Sequence, residues 1–162
     1  MSKVITVPAI TLEGWAAEIL EAAGFTAEES RITAKSLILS DLMGHESHGI
    51  IRVTRYVQLL KTGDVKSDVD LKILSETSSS MVIDAQLGLG QVQMPRLLDN
   101  LLSKAGQSGT VTGAMRNCGH AGRIGEWSEY IAKAGCAGFV FVNDNGVEQG
   151  VDLGLVKDVG EH

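Results

Sequence analysis

The apolar residues of the first sixty or so positions recur at three- and four-residue steps, and this period limits the fold more than any other feature. It is the spacing of helices that bury one face, not of strands. Ile10, Leu12, Trp15, Ala16, Ile19, Leu20 and Ala23 follow it and Gly24 comes next as a C-cap, which predicts a helix over Ala9 to Ala23. Thr26 precedes Ala27-Glu28-Glu29, a capping box with an acidic first turn. The run through Ile32, Leu37, Ile38 and Leu42 then predicts a second helix ending towards Gly44. A third helix is expected from around Ser47 to about Lys61, stopped by Thr62-Gly63-Asp64.

Beyond this point the chain changes character, and most of its 19 glycines cluster after Gly88. Two β-prone stretches, Leu71 to Leu74 and Met81 to Asp84, flank a polar run from Ser75 to Ser80 and predict an antiparallel pair. A helix fits from Gly90 to about Ala105, with Pro95 awkward unless it lies in the first turn. Gly109 to Met115 reads as a strand, Gly125 to Ala134 as a helix and Ala137 to Val142 as a buried strand. The expectation is therefore an α/β (α+β) chain: a helical part at 1–70, an α/β part at 71–146, and an atypical tail at 147–162 without clear period. A chain of 162 residues buries roughly 70% of its unfolded surface, enough for a core without disulfides or metals.

Charge and hydropathy narrow the partners. The net charge is −6 and no basic run exceeds a pair, which argues against nucleic acid or an anionic membrane. No segment approaches ~18 uninterrupted apolar residues and the N-terminus lacks a signal peptide, so the chain reads as cytoplasmic. Cys118 and Cys136 have no CxxC spacing and are expected as thiols.

The densest polar cluster is Gly44-His45-Glu46-Ser47-His48-Gly49-Ile50-Ile51-Arg52, followed by Tyr56. On a continuous helix His48, Arg52 and Tyr56 fall within about 80° of one another, while Ile50, Val53, Val57 and Leu60 form an apolar stripe elsewhere. A guanidinium grips a carboxylate, and an imidazole one turn away exchanges a proton with an oxygen on the adjacent carbon, which suits a 2-oxo or 2-hydroxy acid. Ser47 would either fix the His48 tautomer or cap the helix. A solvated helix face reads about as well. A metal is not expected, because His45 and His48 are three apart rather than four and no third ligand is evident.

Two glycine-rich turns remain. Gly88-Leu89-Gly90-Gln91-Val92-Gln93 follows a predicted strand and opens a helix, but Gln93 stands at the sixth position and the dinucleotide fingerprint fails. The run from Arg116 to Gly125, Arg-Asn-Cys-Gly-His-Ala-Gly-Arg-Ile-Gly, lies between strand and helix. Its amides could approach a phosphate or nicotinamide with Arg123 as counter-charge, although a plain loop is the simpler reading.

Taken together, the Gly44 to Arg52 run, Tyr56, Gly88-Leu89-Gly90-Gln91 and Asn117-Cys118-Gly119-His120-Ala121-Gly122 resemble the malate/L-lactate dehydrogenase family of the sulfolactate dehydrogenase-like type. The resemblance covers about residues 8 to 146 in order and spacing. It implies a non-Rossmann nicotinamide-binding domain, NAD or NADP as cofactor, and hydride transfer between nicotinamide and C2 of a 2-hydroxy or 2-oxo acid. By the same resemblance His48 is the proton donor/acceptor, Ser47 its relay partner and Arg52 the carboxylate clamp, with Tyr56 beside it on the substrate side. His120, Ala121, Gly122, Arg123 and Ile124 match the cofactor-contacting turn, with His120 a second acid/base candidate, and Asp144 lies where the family meets its cofactor. The family's chains are much longer, so a truncated or frame-altered member is expected, with self-association as a homodimer through exposed apolar surface. The alternative is a catalytically inactive fragment acting only as a folded remnant or dimerisation module.

Overall fold

Residues 5–143 are described by a computed structural model of the chain. Two helices, α1 (Ala9–Ala23) and α2 (Ala27–Leu42), open it where the apolar period places them. Gly24 ends α1 in the left-handed conformation, its N–H returning to the carbonyls of Leu20 and Glu21. The capping box forms in both directions: Glu29 N–H donates to Thr26 Oγ1 at 3.2 Å, and Thr26 N–H to Glu29 Oε2 at 3.1 Å. Glu29 also accepts from Ser67 Oγ and from Asp68 N–H, so one buried carboxylate ties the start of α2 to the segment entering the sheet.

The third helix is shorter than its sequence suggests. α3 runs over Arg52–Thr62, and Glu46–His48 form a separate 3-10 turn. Gly49 is extended (φ −89°), and Ile50 N–H donates to Asp41 Oδ2 at 2.8 Å instead of entering a helical ladder. A charge-assisted bond to the end of α2 thus replaces one helical bond and breaks the continuity expected from Ser47. The predicted stripe behaves as expected: Val53 is buried, with Ile50, Val57 and Leu60 packed against the same core.

Strands β1 (Lys72–Glu76) and β2 (Ser80–Asp84) form the antiparallel pair, with a bulge between Ile73 and Ser75. Helix α4 (Gly90–Ser108) crosses over to β3 (Thr112–Arg116), which lies parallel to β2 and gives the order β1-β2-β3. Pro95 sits in the second turn of α4, so the Gln91 carbonyl lacks its usual helical donor. Helix α5 spans Ile124–Lys133. Val65, Leu89 and Val92 join the residues of α1, α2 and α3 in one cluster, so the helical part and the start of α4 share a core. Met94, Leu98, Trp127 and Val140 form a second, and Met81, Ile83 and Leu97 a third.

The buried strand expected over residues 137–142 does not form among the described residues. Only Val140 makes a strand-like bridge, while Phe139 and Phe141 are 71% and 65% exposed. A buried strand needs cover on both faces, and one face of this run has none there. Asp144 and the stretch 147–162 lie outside the described residues.

Candidate active site

The 45–50 loop is strapped to the end of α2 at two points, His45 N–H to Ser40 O at 2.9 Å and Ile50 N–H to Asp41. The strap requires glycine at 49, because a Cβ there would stand 1.7 Å from Asp41 Oδ1. The loop carries Ser47 and His48, with Ser47 Oγ 2.9 Å from His48 Nδ1. Arg52, opening α3, donates from Nε to the Ser47 carbonyl at 2.5 Å. His48 and Arg52 are thus both tied to Ser47, although no continuous helix joins them. Among the described residues no carboxylate pairs with Arg52.

The second half of the site comes from the turn after β3. Gly90, first residue of α4, has no room for a Cβ: it would meet Ala121 Cα at 2.4 Å and His120 O at 2.6 Å. This close approach, with Gly119 N–H on Gly88 O at 2.8 Å and Trp127 Nε1 on Ala121 O at 2.8 Å, seats the His120 turn against α4. His120 then stacks on His48, ring centroids 5.3 Å apart and planes 27° from parallel. Nδ1 of His120 lies 2.8 Å from Tyr56 Oη and accepts from Gly122 N–H at 3.2 Å. Behind them Gln91 Nε2 donates to Tyr56 Oη at 2.6 Å.

Two details depart from the sequence reading. Tyr56 does not share an open face with His48 and Arg52; it is fully buried in the core, and burial pushes its phenol up to about 12. Arg123 is not an open counter-charge: it is buried and forks onto Glu129 at 2.8 and 3.3 Å, which holds that carboxyl below its ordinary range. Cys118 is a free thiol, and burial pushes it up to about 11.

Three contributors receive no role from the sequence, although Gln91 belongs to the Gly88-Leu89-Gly90-Gln91 run that carries the resemblance. Gln91 follows the Gly88-Leu89-Gly90 turn, and a glutamine in a first helical turn usually faces water. Asp41 is one more polar residue near a helix end. Glu126, in the first turn of α5, accepts from Ser36 Oγ at 2.6 Å and is raised above its ordinary range, chiefly by burial. Among the described residues no group of three or more His, Cys, Asp or Glu could hold a metal, and no helix is long and apolar enough to cross a membrane. An open depression of about 360 Å³, lined by Lys66, Asp84, Gln86, Leu87 and Asn117, marks the C-terminal ends of β2 and β3; neither histidine lines it.

The family model for malate/L-lactate dehydrogenase matches residues 7–149. The L-sulfolactate dehydrogenase of Methanocaldococcus jannaschii is 35% identical over 126 residues, 78% of this chain and 37% of that protein. Hydroxycarboxylate dehydrogenase B of Escherichia coli is 31% identical over 137 residues, 85% of this chain and 38% of that protein. The structure of malate dehydrogenase from Pyrococcus horikoshii superimposes with a TM-score of 0.77 at 33% identity, over 81% of this chain and 38% of that one. The chain thus spans little more than a third of the length of the relatives it matches.

Proposed function

The chain belongs to the malate/L-lactate dehydrogenase family, and from that premise we propose that it carries the acid-binding and proton-exchanging part of a 2-hydroxy acid/2-oxo acid oxidoreductase. One observation carries the reading: two imidazoles stack at 5.3 Å, and Ser47, which contacts one of them, also holds an arginine that pairs with no carboxylate among the described residues. Arg52 would hold the substrate carboxylate, its Nε already steadied by Ser47 O. His48 would exchange the proton of the C2 oxygen one bond away, with Ser47 Oγ serving its other nitrogen. Oxidising a 2-hydroxy acid removes the hydroxyl proton and a hydride from C2, and these residues account for the proton.

The hydride partner would be NAD or NADP, as for the family resemblance. The described residues of the 120–124 turn do not fit its phosphates. Arg123 is committed to Glu129, and the Gly122 amide to His120. No step is therefore derived through the cofactor, and the assignment of His120, Ala121, Gly122, Arg123, Ile124 and Asp144 to its binding rests on the resemblance alone. The division at residues 70 and 146 into an acid-binding and a cofactor-side part stands on the same footing.

Oxamate, an amide analogue of a 2-oxo acid, tests the reading on the chain itself. Arg52→Ala is expected to weaken oxamate about 10- to 100-fold, the range of a charge-assisted hydrogen bond. In turnover with NADH or NADPH, His48→Ala is expected to lower kcat more than it raises KM. Oxamate binding that is indifferent to Arg52 would overturn the assignment. A second reading, a catalytically silent dimerising module, draws on the exposed Phe139 and Phe141. Sedimentation that gives a monomer would remove it.

A further inference from the structure

The loop carrying His48 and the turn carrying His120 have no element in common, yet both are tied to α2. Asp41 and the Ser40 carbonyl strap the loop to the end of that helix. Little more than one helical turn earlier, Ser36 Oγ donates to Glu126 Oε2 at 2.6 Å, a bond between residues 90 positions apart. Ser40 turns its own hydroxyl back to the Ser36 carbonyl at 2.9 Å, so the outward bond falls to Ser36. Glu126 stands in the first turn of α5 beside Trp127, whose Nε1 donates to Ala121 O at 2.8 Å and so fixes the His120 turn to the same helix end. Apolar packing does not make this connection. Ala34 and Leu37 of α2 belong to the cluster of the helical part and Trp127 of α5 to that of α4, and among the described residues neither cluster holds a residue of the other helix.

A carboxyl is a costly group with which to join two helices, and burial raises Glu126 above its ordinary range even though Ser36, Arg123 and Lys133 pull it the other way. Apolar side chains would join α2 and α5 at less cost, but the hydrophobic effect has no direction and does not select one register. A short hydrogen bond between two side chains does. We propose that Ser36 and Glu126 are positioning residues whose bond holds the His120 turn in register with the His48 loop, with α2 as the shared anchor of both rings. The inference rests on the reading above that the stacked pair serves the substrate, and it gives work to a carboxyl that the reading does not use. Each residue acts through its own helix: Ser36 through the Asp41 strap five positions on, Glu126 through Trp127 and Ala121.

Nuclear Overhauser spectroscopy on the chain reads the ring spacing without substrate or cofactor, and with 4 histidines in the sequence the carbon-bound ring protons of His48 and His120 are assignable. A cross-peak between the two rings is expected at their 5.3 Å separation. The effect falls with the sixth power of distance, so an opening of about 1 Å, the scale of misplacement that matters to catalysis, weakens it roughly threefold. Ser36→Ala and Glu126→Ala should each weaken it by that much or more, and the double variant no further than either single one. Glu126→Gln, which keeps an acceptor for Ser36, should retain it. A merely stabilising bond would lower Tm on removal and leave the cross-peak of the folded chain intact. An undiminished cross-peak in Ser36→Ala, the mildest of these changes, or equal weakening in Glu126→Gln and Glu126→Ala would overturn the proposal. Oxamate should bind Ser36→Ala about fivefold more weakly, the worth of one ordinary hydrogen bond, and unchanged affinity would overturn the positioning role. If the chain binds no oxamate at all, the functional reading fails, while the cross-peak still decides whether Ser36 and Glu126 set the spacing.

Discussion

Gly49 and Asp41 offer the sharpest test of how the fold places His48. At Gly49 the backbone is extended (φ −89°), a conformation open to any residue, so Gly49→Ala should suffer from contact alone. The new Cβ would lie 1.7 Å from Asp41 Oδ1, 2.2 Å from Cγ and 2.6 Å from Oδ2, too close for a small rotation to relieve. The whole carboxylate must leave, and Ile50 N–H loses its 2.8 Å acceptor. A hydrogen bond to a charged group is worth about 1.5–3 kcal/mol, and partial exposure here puts the loss near the lower end, about 1.5–2 kcal/mol. For a chain of this size that corresponds to a fall in Tm of about 3–8 °C. Asp41→Ala loses the same bond without a clash and should cost a similar amount. In the double variant the Cβ no longer meets a carboxylate, so the cost should stay close to that of Asp41→Ala alone, a coupling of about 1.5–2 kcal/mol. Thermal unfolding of the four proteins by circular dichroism measures it. Additive losses would mean that Asp41 and Gly49 act independently, and the strap would not be what places the 46–48 turn.

Two further outcomes follow from groups buried near the site. Glu126 has its folded pKa raised above the ordinary 4.5, chiefly by burial, so the native state favours the protonated form. Its contribution to stability is fully present below 4.5 and is lost as pH rises through the folded value. Glu126→Gln, which keeps an acceptor for Ser36, should therefore gain Tm relative to the parent between pH 5 and 8; a constant difference across that range would contradict the assignment. Arg123→Met should lower the unfolding free energy measured in urea by about 1–3 kcal/mol and shift the midpoint down with it, because it strips a half-buried Glu129 of its partner. Any response to NADH titration should persist, and selective loss of that response at an unchanged midpoint would return Arg123 to the cofactor.

Local chemistry settles much of this molecule before any tertiary contact forms. The three- and four-residue apolar period, the Thr26 capping box and the left-handed glycine after α1 each act within a turn or two of chain, so α1 and α2 have the bounds their sequence implies. The polar run between two β-prone stretches likewise suffices for the antiparallel pair. Residue types told which side chains could bind an acid and move a proton, since a guanidinium and an imidazole have that chemistry wherever they stand. Interactions across long stretches of sequence were not readable this way. Asp41 captures the amide of Ile50 and interrupts α3; Glu129 turns Arg123 inward; Tyr56, 64 residues before His120, reaches it inside the core. Each outcome is a competition between a local preference and a buried, charge-assisted or tightly packed alternative from a distant element. The stronger partner wins, and periodicity along the chain carries no information about it. Helical spacing predicted His48 and Arg52 on one continuous helix, which the break at Gly49 removes; it is the Asp41 strap and the Gly90–Ala121 approach that bring two imidazoles together, because packed backbone holds rings from separate turns at stacking distance.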